Sequence, residues 1–117
     1  MASISPVINQ PSTGQILVVT WAPLANGDVG VTADYPRWAD RNIQIFGTFG
    51  AGGSIKVEGS NDNSNWATLT DMGGATLVFT SAGVRMIQEN VMWVRPSVTA
   101  GDGTTSLTAI LVARRTA

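Results

Sequence analysis

The sequence of 117 residues contains neither cysteine nor histidine. Their absence excludes disulfides, thiolate and imidazole metal ligands, cysteine nucleophiles and every histidine general base. No serine stands in a G-x-S-x-G motif, and Gly50–Gly53 lacks the Lys-Ser/Thr ending of a phosphate-binding loop. We therefore expect a protein that is not an enzyme and that holds no metal and no cofactor.

Charged residues are also scarce. They make up 13% of the chain and leave a net charge of −1, whereas about a quarter is usual. Binding to a phosphate backbone needs clustered basic residues, but the chain has one lysine and its arginines are scattered, so no nucleic-acid partner is expected. A surface so poor in charge favours partial coverage by another copy or a partner, although Ser, Thr, Asn and Gly also make a soluble surface.

Long hydrophobic runs are missing as well. The longest, Ile16–Val19 and Ala109–Ala113, are far shorter than the roughly 20 residues that span a bilayer. The N-terminal residues show no basic region followed by an apolar stretch, which is the mark of a signal peptide. We expect no membrane partner and no export signal.

Short, β-branched segments separated by glycine-rich turns are what the sequence does contain. They predict strands in ILVVTW, NIQIFGTF, SIKVEGS, NWATL, ATLVFT, MWVRPSVT and TSLTAILVA. ILVVTW is apolar at successive positions, which favours a strand covered on both faces. SAGVRMIQEN is the one stretch that could be helical. Seven or eight such strands predict an all-β antiparallel sandwich or jelly roll, with a small barrel as the alternative.

Two pairs of these strands are predicted to form hairpins. GAGG connects NIQIFGTF with SIKVEGS, and AGDGT connects MWVRPSVT with TSLTAILVA. Pro96 lacks an N–H group, so its strand is predicted to lie at a sheet edge or to contain a bulge.

The first 15 residues are rich in Ser, Pro, Gln and Asn and predict an extended N-terminal arm, with the sandwich domain spanning residues 16–117. Such an arm can add a strand to the edge of a neighbour's sheet. Its candidate contact residues are Ile4, Val7 and Ile8.

Several apolar side chains are predicted on outer sheet faces, where polar ones are usual. Ile110 and Val112 alternate with the core positions of the last strand, and Phe46 and Trp93 do the same in theirs. One explanation is burial in an oligomer or against a partner. The other is coverage by the long irregular segment 22–41, which ends in DYPRWADR. The residues of that ending suited to an interface, or to a lid on the same domain, are Tyr35, Arg37, Trp38 and Arg41.

The stretch GSNDNSNW, residues 59–66, is rich in polar side chains. A calcium loop beginning at Asn61 would need Gly at its sixth position and Glu at its twelfth, where Trp66 and Met72 stand. Asn, Asp and Ser are typical of tight turns, so a hairpin turn is the preferred interpretation. A sugar-binding site is the alternative, with Asn61, Asn63 and Asn65 binding hydroxyls beside Trp66.

ADRNIQIFGTFGAGGSIKVEGSNDNSNWATLTD, AGVRMIQEN and WVRPSVTAGDGTTSL resemble segments of small β-sandwich structural proteins of tailed bacteriophages, which are head decoration (cement) or other minor virion proteins. The resemblance covers most of the chain. Asn63-Ser64 replaces a common Gly-Thr, and Met72 replaces a common proline, which predicts a different loop shape there. GSND-x-x-x-W also resembles a hairpin of discoidin-type carbohydrate-binding sandwiches.

The phage resemblance implies no catalytic residues and no cofactor. It implies a protein made in the cytoplasm of a host bacterium that attaches to the major capsid protein on the head surface of the virion, as a homo-oligomer such as a dimer or trimer. The alternatives are a tail or neck structural protein, and a carbohydrate-binding module of a tail or fibre.

Overall fold

The protein consists of two packed β-sheets. The computed structural model describes residues 2–9, 15–32 and 40–114, and within these ranges all regular structure is β-strand. The strands are β1 Ser3–Ile4, β2 Val7–Asn9, β3 Ile16–Leu24, β4 Val29–Gly30, β5 Asp40–Thr48, β6 Ser54–Ser60, β7 Ala67–Thr68, β8 Val78–Phe79, β9 Gly83–Ile87, β10 Trp93–Ala100 and β11 Ser106–Arg114. The described residues contain no helix long and apolar enough to cross a membrane.

The strand order is that of a jelly roll. Sheet 1 has the order β1-β4-β10-β6, and β7 and β8 pair with different parts of β6. Sheet 2 has the order β2-β3-β11-β5-β9. Folding a long ribbon so that β3 pairs with β11, β4 with β10, β5 with β9 and β6 with β8 produces this arrangement. The predicted antiparallel sandwich is confirmed, and the barrel alternative is wrong.

A single hydrophobic core fills the space between the sheets. Alternation in β3, β5 and β11 directs one set of side chains inward. The members of the core from these three strands are Leu17, Val19, Trp21, Leu24, Ile43, Ile45, Leu107, Ala109, Leu111 and Ala113. The indole Nε1 of Trp21 donates a hydrogen bond to the carbonyl oxygen of Val31 at 2.9 Å, so even the polar atom of this buried ring has a partner.

Both predicted hairpins are wrong. β5 and β6 lie in different sheets, as do β10 and β11. Each pair is joined by a five-residue connection, 49–53 or 101–105, which passes from one sheet to the other. Five residues reach up to about 17 Å, enough to bridge sheets that pack about 10 Å apart.

The stretch SAGVRMIQEN contains strand β9 and not a helix. Val84 and Met86 point to the outer face, whereas Ile87 is buried in the core. Arg85 lies at the core margin, where its guanidinium pairs with Asp71 (Nη2–Oδ2 2.7 Å) and donates to the carbonyl oxygen of Thr76. These tertiary contacts favour the extended conformation.

Pro96 lies in an interior strand, so the predicted edge placement is wrong, but β10 does contain an irregularity, a register shift between Val98 and Ala100, as the bulge alternative predicted. It pairs with Val57 of β6, and β4 lies on the other side of β10. The amide N–H of Val98 donates to Asp28 across this second side, so by alternation the nitrogen of Pro96 faces β4 as well. β4 ends at Gly30, which packs against the proline ring, and no ladder hydrogen bond is needed there.

The described part of the N-terminal arm is extended, as predicted, but it belongs to both sheets of its own domain. β1 pairs in parallel with β4, and β2 pairs antiparallel with β3. The carboxylate of Asp28 accepts hydrogen bonds from Ala2 N (3.0 Å) and Ala25 N (2.9 Å), which fastens the arm to the turn before β4. Of the candidate arm contacts, Ile4 packs against the core, while Val7 and Ile8 are exposed.

The two sheet-crossing connections are tied together by Asp102. Its carboxylate accepts hydrogen bonds from Ala51 N at 2.9 Å and from the hydroxyl of Thr104 at 2.6 Å. The hydroxyl of Thr105 donates to the carbonyl oxygen of Phe49. This cross-connection fixes one end of the sandwich.

Acid should weaken this end of the fold. Hydrogen bonds from the Thr104 hydroxyl and from Ala51 N lower the pKa of Asp102 to about 2. A carboxyl whose pKa is lower in the folded chain stabilises the fold above its ordinary pKa of about 3.9, and that contribution is lost as the pH falls toward the folded value. We expect Asp102→Asn to lower Tm at neutral pH, and the difference from wild type to shrink as the pH falls. Thermal unfolding at several pH values measures this, and a constant difference down to about pH 2 would contradict it.

Candidate interaction surfaces

The outer face of sheet 2 carries no charge over most of its area. Cross-strand pairing places its side chains in rows that run across all five strands. One row is Val7, Thr20, Ile110, Gln44 and Val84. The next row is Asn9, Val18, Val112, Asn42 and Met86. Thr108 and Phe46 pair at one end. We call these twelve residues the uncharged face, since none of them is ionisable.

The uncharged face is apolar as well as neutral. Seven of the twelve side chains are Val, Ile, Phe or Met. Val7 is 71% exposed, Val84 59%, Met86 41% and Phe46 39%. A contiguous apolar patch on a soluble protein is typical of a binding surface. Among the described residues, the predicted coverage of ILVVTW on both sides is not found, because Ile16, Val18 and Thr20 stay partly exposed.

The structure separates the predicted interface residues. Phe46, Ile110 and Val112 lie together on the uncharged face, as the sequence indicated. Trp93 lies on the outer face of sheet 1, on the opposite side of the sandwich. Tyr35, Arg37 and Trp38 lie outside the described residues. The described parts of the predicted covering segment 22–41 are residues 22–32, which end β3 and form β4, and residues 40–41, which begin β5.

Arg41 does not lie on an exposed surface, so its placement in an interface is wrong. It is 2% exposed and points to the core side of β5, where its Nη1 donates to the carbonyl oxygen of Val91 at 3.0 Å. Burial lowers the pKa of Arg41. The side chain therefore joins β5 to the segment before β10.

The outer face of sheet 1 has the opposite character. Glu58 is 7% exposed and accepts a hydrogen bond from Arg95 Nε at 3.0 Å, while Lys56 Nζ lies 3.2 Å from its other oxygen. The guanidinium of Arg95 also lies over the ring of Trp66, 3.9 Å from its centroid. We call Lys56, Glu58, Trp66 and Arg95 the ion-paired cluster. Its charges are satisfied within the chain.

The stretch GSNDNSNW forms the hairpin turn between β6 and β7, as predicted. Asp62 organises it by accepting hydrogen bonds from Asn65 N, the amide of Asn65, Ser64 N and the hydroxyl of Ser60, which hold its pKa well below the usual range. Asn63 adopts a φ of 60°, which asparagine tolerates.

The residues of the predicted sugar site have structural partners here. Asn61 Oδ1 accepts a hydrogen bond from Met92 N at 3.0 Å, and Asn65 Nδ2 donates to Asp62 at 2.6 Å. Arg95 stacks on Trp66. The described residues contain no group of three carboxylates placed to hold a metal ion, and the turn follows the chemistry of Asx and Ser motifs instead.

Val18, Val84 and Met86 are the surface residues that sequence reasoning missed. Val84 and Met86 are missed because the sequence SAGVRMIQEN also allows a helix. The signal was present as the alternation Val84, Arg85, Met86, Ile87, but four residues are too few to separate a strand from a helical turn.

Comparison with known proteins supports the fold. No protein-family model and no curated protein matches the chain. Among solved structures, the SPBc2 prophage-derived protein YomS aligns with a TM-score of 0.63 at 11% identity, over 84% of this chain and 93% of YomS. The cupin domain of Schizosaccharomyces pombe Cnp3 aligns with a TM-score of 0.50 at 8% identity, over 95% of this chain and 60% of that chain. At these identities the likeness is one of fold.

Proposed function

We propose that this protein is a non-enzymatic structural protein of a tailed phage virion that binds the major capsid protein and stabilises the head as a decoration protein. It would be made in the host bacterial cytoplasm and reside on the head surface. The observation that carries the proposal is the uncharged face, a broad sheet surface suited to coverage by protein in an assembly, by a second copy within the decorating unit or by the capsid protein itself.

The physical argument concerns what such a face does in water. Apolar surface gains about 25 cal/mol per Å² when it is removed from water. The uncharged face contains amides and hydroxyls but no ion that would lose its hydration on docking. A protein on a shell has many neighbours, and multivalent attachment turns weak contacts of this kind into stable decoration.

The phage part of the proposal has two supports. The residues resemble small virion proteins along most of the chain, and the fold is shared with the prophage-derived YomS over nearly the whole length of that protein. A role in the tail or neck would use the same fold and the same kind of surface, so the experiment must locate the protein within the particle.

The carbohydrate-binding alternative gains no support from the described contacts. Arg95 stacks on the ring of Trp66, and Asn61 and Asn65 each have one amide atom engaged within the chain. A sugar would have to displace or share these partners. Glycan binding is therefore one of the outcomes that the binding experiments with virions and host polysaccharide distinguish.

Virions of the phage that encodes this chain provide the test. After heads and tails are separated, the protein should sediment with the heads in many copies per particle, and purified protein should rebind stripped heads saturably. Trp66→Ala is the matched variant, and it should rebind as well as wild type. Recovery with tails alone would overturn the head assignment. Binding to host polysaccharide that Trp66→Ala abolishes, without rebinding to heads, would favour the carbohydrate function.

A further inference from the structure

We propose that the partner of the uncharged face is the same face of a second copy, so that the protein forms a two-fold dimer with sheet 2 packed on sheet 2. The inference rests on the proposed function only in its choice of surface, since the dimer must form in solution without a capsid. The observation that supports the dimer is that twelve neutral residues lie side by side on five adjacent strands.

Electrostatics favours a copy of this chain as the occupant. A partner with charged residues in its contact area would have to dehydrate them against a face that offers no counter-charge, which is unfavourable. A second uncharged face presents no such charges. Its amides of Asn42 and Gln44, which lie on β5 beside the middle of the face, carry both donors and acceptors, so they can satisfy the same amides of another copy.

The charges that border the face agree with a two-fold arrangement. The last row of sheet 2 contains Ile16, Arg114 and Asp40, with the two charges on neighbouring strands β11 and β5. A two-fold axis parallel to the strands and between β11 and β5 places β11 of one copy over β5 of the other. Arg114 then lies opposite the Asp40 of the second copy, and opposite charges meet twice in one interface.

The same axis matches the apolar parts of the face. β3 of one copy lies over β9 of the other, which places Val18 near Met86 and Thr20 near Val84. Sheets in such an arrangement run nearly parallel, and aligned packing at about −30° is the usual geometry of two stacked sheets. The dimer interface would therefore extend the layering already present inside the sandwich.

The size of the face is sufficient for a dimer of moderate affinity. The axis stacks four strands of each copy, and at about 4.8 Å per strand and about 3.4 Å per residue along seven residues of β11 they give a flat area of about 450 Å². Projecting side chains raise the accessible area, and roughly 600 Å² per partner marks the lower end of stable specific interfaces. We expect dissociation constants in the micromolar range.

Analytical ultracentrifugation of the full chain tests the proposal with two valines that differ in location. Val84 lies on the uncharged face, and Val78, 41% exposed, lies on the outer face of sheet 1 beside Lys56. Wild type and Val78→Glu should sediment as dimers at concentrations above about 10 μM, and Val84→Glu should be a folded monomer. A monomeric wild type, or a Val84→Glu variant that dimerises like wild type, would overturn the proposal.

Gln44→Glu provides a second variant that preserves shape. The side chain is exposed and isosteric with glutamine, so folding is retained while a carboxylate enters the middle of the interface. We expect dimer affinity to fall at least about tenfold. For the bordering charges, Asp40→Arg should weaken the dimer a few-fold and the double variant Asp40→Arg/Arg114→Asp should restore it. Failure of Gln44→Glu to weaken association would refute this interface, and failure of the restoration would refute the axis.

The outcomes for dimer and function are distinguishable. A dimer in solution that does not bind heads leaves the interface standing and removes the virion function. A monomer whose binding to heads is lost in Val84→Glu leaves the function standing and assigns the uncharged face to the capsid protein, which overturns the dimer.

Discussion

Gly47→Ala is expected to lower the free energy of unfolding by about 2–6 kcal/mol. Gly47 lies within β5 with a φ of +123°, a conformation that a Cβ atom disfavours by roughly 1–3 kcal/mol. A Cβ there would also approach the backbone carbonyl oxygen of Ser106 on the neighbouring strand to well under contact distance, and overpacking of this kind adds about 1–3 kcal/mol. Because the obstructing atom belongs to the backbone of β11, no side-chain rotation relieves the contact.

Urea unfolding of Gly47→Ala beside Gly103→Ala measures the effect. Gly103 lies in the connection 101–105, and a Cβ there would meet nothing within 4 Å. The control should therefore stay within about 0.5 kcal/mol of wild type. Equal stabilities for the two variants would show that β5 and β11 separate easily at this point, and the described register between them would be wrong.

Trp21→Ala is expected to destabilise the protein by about 3–5 kcal/mol, the usual range for truncating a large buried aromatic side chain. Trp21 is fully buried and packs on Gly30 of the other sheet. Its removal leaves a cavity between the sheets and deprives the carbonyl oxygen of Val31 of its indole donor. The loss is a large share of the total stability of a single domain, which is about 5–15 kcal/mol.

Trp21→Phe separates packing from hydrogen bonding, because it keeps most of the ring and removes the N–H group. We expect it to lose clearly less stability than Trp21→Ala, and the Tm of both variants measured by calorimetry gives the comparison. If the two variants unfold at the same temperature, the hydrogen bond to Val31 and not the volume of the ring would be the main contribution of Trp21.

The sheet-crossing connections show where sequence reasoning reached its limit. Alternation predicted the strands NIQIFGTF and SIKVEGS correctly, since burial on one face imposes a period of two. The glycines between them fit a hairpin equally well. Which strands pair depends on residues far apart in sequence, such as Leu107 beside Gly47 and Val98 beside Ile55.

Arg85 and Arg41 show the same limit for single side chains. The sequence marks both as charged and therefore as candidates for the surface. The guanidinium of Arg85 donates hydrogen bonds to Asp71 and to the carbonyl oxygen of Thr76. The guanidinium of Arg41 donates to the carbonyl oxygen of Val91. These partners come from other parts of the fold, and their positions decide that β9 is a strand and that Arg41 is buried.

The sequence by itself determined that the fold is all-β, that the turn at residues 59–66 is built by Asn, Asp and Ser, and that Phe46, Ile110 and Val112 face away from the core. Each of these follows from local chemistry, because alternation and turn propensity act over a few residues. The tertiary structure decided that those three residues join Val18, Val84 and Met86 in one neutral surface, while Trp93 lies on the opposite side. A surface is a property of strand order, and strand order is set by packing between distant segments.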